Sequence, residues 1–85
     1  MNPLLPPVLN TPAFAYKWRE YEGYRREMRF RKLLPSTVQR RWDMLAKYGP
    51  DVAIAAIDQA MDQQWQGIFP EKIQPRQQQR RMSFA

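Results

Sequence analysis

The sequence predicts a small all-α protein: a three-helix domain with a proline-rich N-terminal lead-in and a disordered basic C-terminal tail. Three observations carry that expectation. Apolar residues recur at three- and four-residue spacing in three separate stretches, as in helices that bury one face. Each stretch opens beside a proline, Pro12, Pro35 or Pro50, which suits the first helical turn because its missing N–H would be unpaired anyway. Each also carries one of the three tryptophans, Trp18, Trp42 and Trp65, and large aromatics dominate the core of a small domain. A chain of 85 residues makes one domain with a modest core.

Residues 1–10 form the lead-in. Pro3, Pro6 and Pro7 forbid a helix and favour extended chain, while Leu4, Leu5, Val8 and Leu9 are apolar enough to dock onto the domain, which spans 11–70. Helix 1 is expected over about 12–31. Thr11 caps it, and Phe14, Trp18, Tyr21 and Met28 keep the 3–4 spacing of a buried stripe. Arg25 falls on that stripe, its stem expected to cover the core edge while its head reaches water. Leu34 precedes a proline and so avoids helical geometry. Helix 2 is expected over about 36–48, capped by Ser36, with Val38, Trp42 and Leu45 inward and Gly49 as its stop. Helix 3 is expected over about 50–65. Asp51 suits its positive end, Ile54, Ile57, Ala60 and Met61 face inward, and Ala53 and Ala56 allow close approach. Trp65 ends the helix, Gly67 supplies the turn, and Ile68 and Phe69 return to the core before Pro70. The expected core is Phe14, Trp18, Tyr21, Trp42, Leu45, Ile54, Ile57, Met61, Trp65 and Phe69. Residues 71–85, polar and rich in Gln and Arg, read as a flexible basic tail.

Composition narrows the function classes. With no Cys and no His, the chain lacks disulfides, thiolate metal sites, and the commonest catalytic base and zinc ligand. None of the hydroxyls Thr11, Ser36, Thr37 and Ser83 has a plausible base beside it. Asp58 and Asp62 share one helix face and read as solvated acids. We therefore expect no enzyme activity, no metal or other cofactor, and no small-molecule substrate. No apolar run approaches bilayer length and the N-terminus has no positive region, so we expect no membrane association or signal peptide.

The net charge of +6 is unevenly placed. Residues 25–47 hold Arg25, Arg26, Arg29, Arg31, Lys32, Arg40, Arg41 and Lys47 against Glu27 and Asp43, whereas residues 48–71 hold four acids and no base. A protein with one basic half steers toward polyanions. The candidate nucleic-acid contacts are Arg25, Arg26, Arg29, Arg31, Lys32, Arg40 and Arg41, brought together if helices 1 and 2 form an antiparallel hairpin. Tyr16, Tyr24 and Phe30 lie off the main stripe and are candidates for a contact surface, with Tyr24 or Phe30 available to stack a base. Arg76, Arg80 and Arg81 are candidate tail contacts. Helix 3 is acidic, which argues against its reading a major groove.

Three stretches carry a family pattern: LNTPAFAYKW (9–18), EYEGYRREMRFRKLLPSTVQRRWDMLAKYGPD (20–51) and VAIAAIDQAMDQQWQGIFPEK (52–72). Together they resemble a small helical module of phage and prophage replication proteins, found at the C-terminus of replication initiators, replisome organisers and helicase-loader-like proteins. The tryptophan-glycine-phenylalanine close is its most specific part. The chain departs from the pattern at Leu34, where a Thr or Ser usually stands before the proline of helix 2, and at Gln63-Gln64, where Asn-Gly is usual. The resemblance implies an accessory working near DNA replication in the cytoplasm of a bacterial host, with no catalytic residue carried over. Two partner classes follow: nucleic acid held by the basic hairpin, or a host or phage protein. The latter is a replicative helicase, its loader, or a defence complex blocked in the manner of an anti-CRISPR. The acids Asp51, Asp58 and Asp62 and the basic end offer opposite patches for such a partner.

Overall fold

The computed structural model describes residues 2–73. It is all-α, with helices α1 (Pro12–Glu27), α2 (Pro35–Ala46) and α3 (Pro50–Gln63), flanked by 3-10 turns at Pro7–Leu9 and Pro70–Lys72. No strand occurs among the described residues.

Each helix starts where proline chemistry places it. Thr11 caps α1, its hydroxyl accepting the Phe14 N–H at 3.1 Å. The first helical residue of α2 is Pro35, after Leu34, and no side chain caps the helix; the expected Ser36 cap is replaced by an uncapped start. Gly49 closes α2 and opens α3 at φ 92°. A Cβ there would meet nothing within 4 Å, so the requirement is for the backbone conformation and not for space.

Two helices end earlier than their patterns suggest, for the same reason. Arg29 adopts φ 61°, and the Arg29 and Phe30 N–H groups donate back to the Arg26 and Arg25 carbonyls at 3.1 and 3.0 Å. Gln64 also adopts φ 61°, with the Gln64 and Trp65 N–H groups on the Met61 and Ala60 carbonyls at 3.2 and 2.9 Å. Both are Schellman caps, built here on residues other than glycine. The sharp turn after α3 therefore falls at Gln64 and not at Gly67. Gly67 serves another purpose: a Cβ there would stand 3.0 Å from the Phe69 ring.

The core gathers Phe14, Trp18 and Tyr21 from α1, Leu45 from α2, and Ala53, Ala56 and Ile57 from α3, closed by Leu9 and Ile68. Trp42, Ile54 and Met61 are half-buried against it. Two expected core residues sit elsewhere. Phe69 is exposed and Trp65 is half-buried, the two rings packed edge to face at 5.4 Å. The chain leaving α3 turns Ile68 inward, and its neighbour Phe69 then faces out.

The three alanines Ala53, Ala56 and Ala60 on the buried face of α3 allow α1 close, and α1 packs mainly on α3. A tight α1–α2 hairpin does not form. Trp18 and Trp42 meet edge to face at 5.7 Å and hold those two helices apart, while α2 packs on α3 and on the Pro7–Leu9 turn. The lead-in is tied to α2 by Gln39, whose amide donates to the Leu4 carbonyl at 2.9 Å and accepts the Leu4 N–H at 2.6 Å. Of the stretch expected to be disordered, Glu71 and Lys72 lie in the last 3-10 turn and Ile73 packs on the core; the rest lies outside the described residues. No helix among the described residues is long and apolar enough to cross a membrane.

Candidate nucleic-acid interface

The basic residues divide into two kinds. Arg25 follows Phe14, Trp18 and Tyr21 on the buried stripe of α1 and is itself 8% exposed. Its guanidinium does not reach for water. Nη1 donates to the Gln66 carbonyl at 3.0 Å and to the Tyr21 hydroxyl at 3.4 Å, and Nη2 donates to the Arg31 carbonyl at 2.6 Å. It also lies over the Phe30 ring at 5.3 Å and the Tyr21 ring at 5.8 Å. A planar fork meets several carbonyls at once, so this arginine pins the exit of α3 and the α1–α2 loop to α1. Arg25 lines the cleft, but its guanidinium is committed to holding the fold, which sets it apart from the other candidate contacts.

The loop that Arg25 holds carries the second kind. Arg29, Arg31 and Lys32 are exposed and half-buried Arg41 joins them from α2, all lining one open cleft with Leu34 and Thr37. The Arg41 Nε is buried with no hydrogen-bond partner among the described residues. Arg26 is exposed on the adjoining wall, where Glu22 is the neighbouring acid. Arg40 is exposed but lines neither wall. Helical phase explains the split, since Arg41 sits one turn beyond Thr37 while Arg40 is rotated by about 100°. The expected pairing of the α1 and α2 clusters is thus met by Arg41 across an open cleft. Arg76, Arg80 and Arg81 lie outside the described residues.

The two candidate stacking rings are already engaged. Tyr24 is half-buried, donates its hydroxyl to the Trp65 carbonyl at 2.6 Å, and packs between Tyr21 at 6.0 Å and Phe30 at 5.8 Å. Partial burial, reinforced by Tyr21 and opposed by Arg25, raises the Tyr24 hydroxyl above the ordinary tyrosine pKa. Phe30 is half-buried under the Arg25 guanidinium.

No cation of the cleft forms an ion pair among the described residues, Glu22 being the acid on the adjoining wall. Among the described residues, ion pairs occur at Lys17, which contacts Glu20 and Asp58 at 2.7 Å each. Hydrogen bonds to Asp58 and then Glu20 hold the Lys17 ammonium well above its usual range. Asp58 is thereby committed to α1, which reduces the acidic patch expected on α3. No group of three or more acids that could hold a metal ion occurs among the described residues.

The model of the YdaU C-terminal domain family matches residues 12–82, and the chain belongs to that family, which is associated with prophages. No curated protein and no solved structure matches the chain.

Proposed function

We propose that this YdaU-type domain binds nucleic acid through its phosphates, as an accessory of phage-type DNA replication. One observation carries the reading: Arg29, Arg31, Lys32 and Arg41 share one open cleft, and none of them forms an ion pair among the described residues. Uncompensated guanidinium forks are suited to phosphate oxygens. The replication setting rests on the sequence resemblance of residues 9–72 to modules of phage replication proteins, and the family match supports the prophage association alone.

Binding of this kind releases counterions, so affinity falls with salt in proportion to the phosphates neutralised. Four cations predict a log–log salt slope of roughly −3 to −4 on duplex DNA. The test is fluorescence anisotropy with labelled DNA across a salt series. The double variant Arg31→Glu with Lys32→Glu is expected to weaken binding at least about tenfold and to flatten the slope, with an unchanged helical circular dichroism spectrum. Undiminished affinity in a folded variant overturns the assigned surface.

A second reading is docking to a host protein, a replicative helicase, its loader or a defence complex. It is favoured by Leu34, an apolar side chain 66% exposed among the cations. Absence of DNA binding at low salt would leave this reading standing and remove the first.

A further inference from the structure

Resting on the phosphate-binding reading, we infer that the cleft takes double-stranded DNA in preference to a single strand, because among the described residues each ring near the cleft is already engaged by other side chains. Single-strand binders pair a basic groove with aromatic faces on which bases stack. Here the cations are present and the faces are taken. Phe30 lines the cleft, but Arg25 lies over its ring at 5.3 Å and Tyr24 meets it edge to face at 5.8 Å. Tyr24 is stacked against Tyr21 and met by the Phe30 ring. Trp65, at the exit of α3, carries the Lys72 ammonium over its ring at 5.6 Å and Phe69 against it.

The rings that stand most open are Tyr16 and Tyr48, 62% and 44% exposed. Neither lines the basic cleft. Tyr16 sits in the first half of α1 and Tyr48 in the turn between α2 and α3, whereas the cleft forms between the end of α1 and the start of α2. What the cleft offers a polyanion is positive charge, with Leu33 and Leu34 beside it. A surface that recognises only phosphates gains most from the polymer with the denser charge, which is the duplex, with one charge per ~1.7 Å of axis.

The experiment uses the whole chain and three labelled probes of roughly 20 nucleotides at one low salt concentration: oligothymidylate, a mixed-sequence duplex, and a single strand made of abasic sites. The duplex is expected to bind at least about threefold tighter than oligothymidylate, and the abasic strand to match oligothymidylate within about twofold, since bases contribute nothing. A smaller duplex preference, or oligothymidylate clearly tighter than the abasic strand, overturns the inference and leaves phosphate binding intact. No binding of any probe overturns both.

Discussion

Arg25 in the last turn of α1 and the arginines of the loop that follows it are used in opposite ways. Arg25 is nearly enclosed, with its guanidinium on two carbonyls and a hydroxyl. Arg29, Arg31 and Lys32 stand a few residues on, exposed and without an acid partner among the described residues. Composition is nearly the same in the two places, so composition does not decide the role. Position relative to the buried stripe does: Arg25 completes the 14–18–21–25 face of α1, and the others follow the point where the helix has stopped. The two roles are also coupled, because Arg25 grips the carbonyl of Arg31 and so fixes the loop on which the exposed cations ride.

The largest effect that tests this contrast is on stability. Arg25→Ala leaves the Gln66 and Arg31 carbonyls without their charged donor, and it removes the packing of the guanidinium on two rings. Losing charge-assisted hydrogen bonds of this kind costs about 3 kcal/mol. Arg31→Ala removes an exposed side chain and is expected to stay within about 0.5 kcal/mol of wild type. Urea denaturation of the two variants measures the difference directly. Equal stabilities would show that Arg25 is one more surface cation.

The parts of the fold that were legible in the sequence are those set by local chemistry. Thr11-Pro12, Pro50 and Gly49 mark helix boundaries because a cap, a missing N–H or a positive φ is a property of one residue. The ends of α1 and α3 were not legible, since Arg29 and Gln64 take the left-handed conformation without being glycine, and the signal to look for is glycine. Trp65 and Phe69 looked like core because they are large, but the direction in which the chain leaves α3 gives that place to Ile68. The stripe position of Arg25 was visible. Its burial was not, because the carbonyls that satisfy it come from residues 6 and 41 positions away. The cation cleft was half legible: the cluster is local in sequence, but the choice of Arg41 over Arg40 depends on how α2 is rotated against α3.

A smaller effect separates Tyr24 from a free stacking ring. Tyr24→Phe removes the 2.6 Å bond to the Trp65 carbonyl and is expected to cost about 1 kcal/mol. The cost depends on pH in a defined direction. The folded-state pKa of Tyr24 is raised above its ordinary value of 10.0, first by burial, and only the neutral hydroxyl donates. The stabilisation is therefore complete below pH about 10 and is lost as pH rises through the raised value. The gap between wild type and variant should be constant from neutral pH to pH about 10 and shrink above it. A gap that does not change into that alkaline range would mean the hydroxyl contributes by packing and not by its proton.

The finest test compares the two residues held in the left-handed region. At φ 61°, Arg29 and Gln64 each bear a strain of roughly 1 kcal/mol that glycine avoids, partly offset because glycine is freer in the unfolded chain. Arg29→Gly and Gln64→Gly are each expected to stabilise the fold by about 0.5 kcal/mol, since both keep their Schellman hydrogen bonds. Their effects on DNA should differ. If Arg29 contacts phosphate as proposed, Arg29→Gly should reduce the salt slope by about 0.9, whereas Gln64→Gly removes no charge and should leave it unchanged. A stability gain shared by both, with an affinity loss confined to Arg29→Gly, would mean that the end of α1 keeps an arginine where the fold alone prefers glycine. Equal slopes in the two variants would take Arg29 off the contact surface and leave its cap as its whole role.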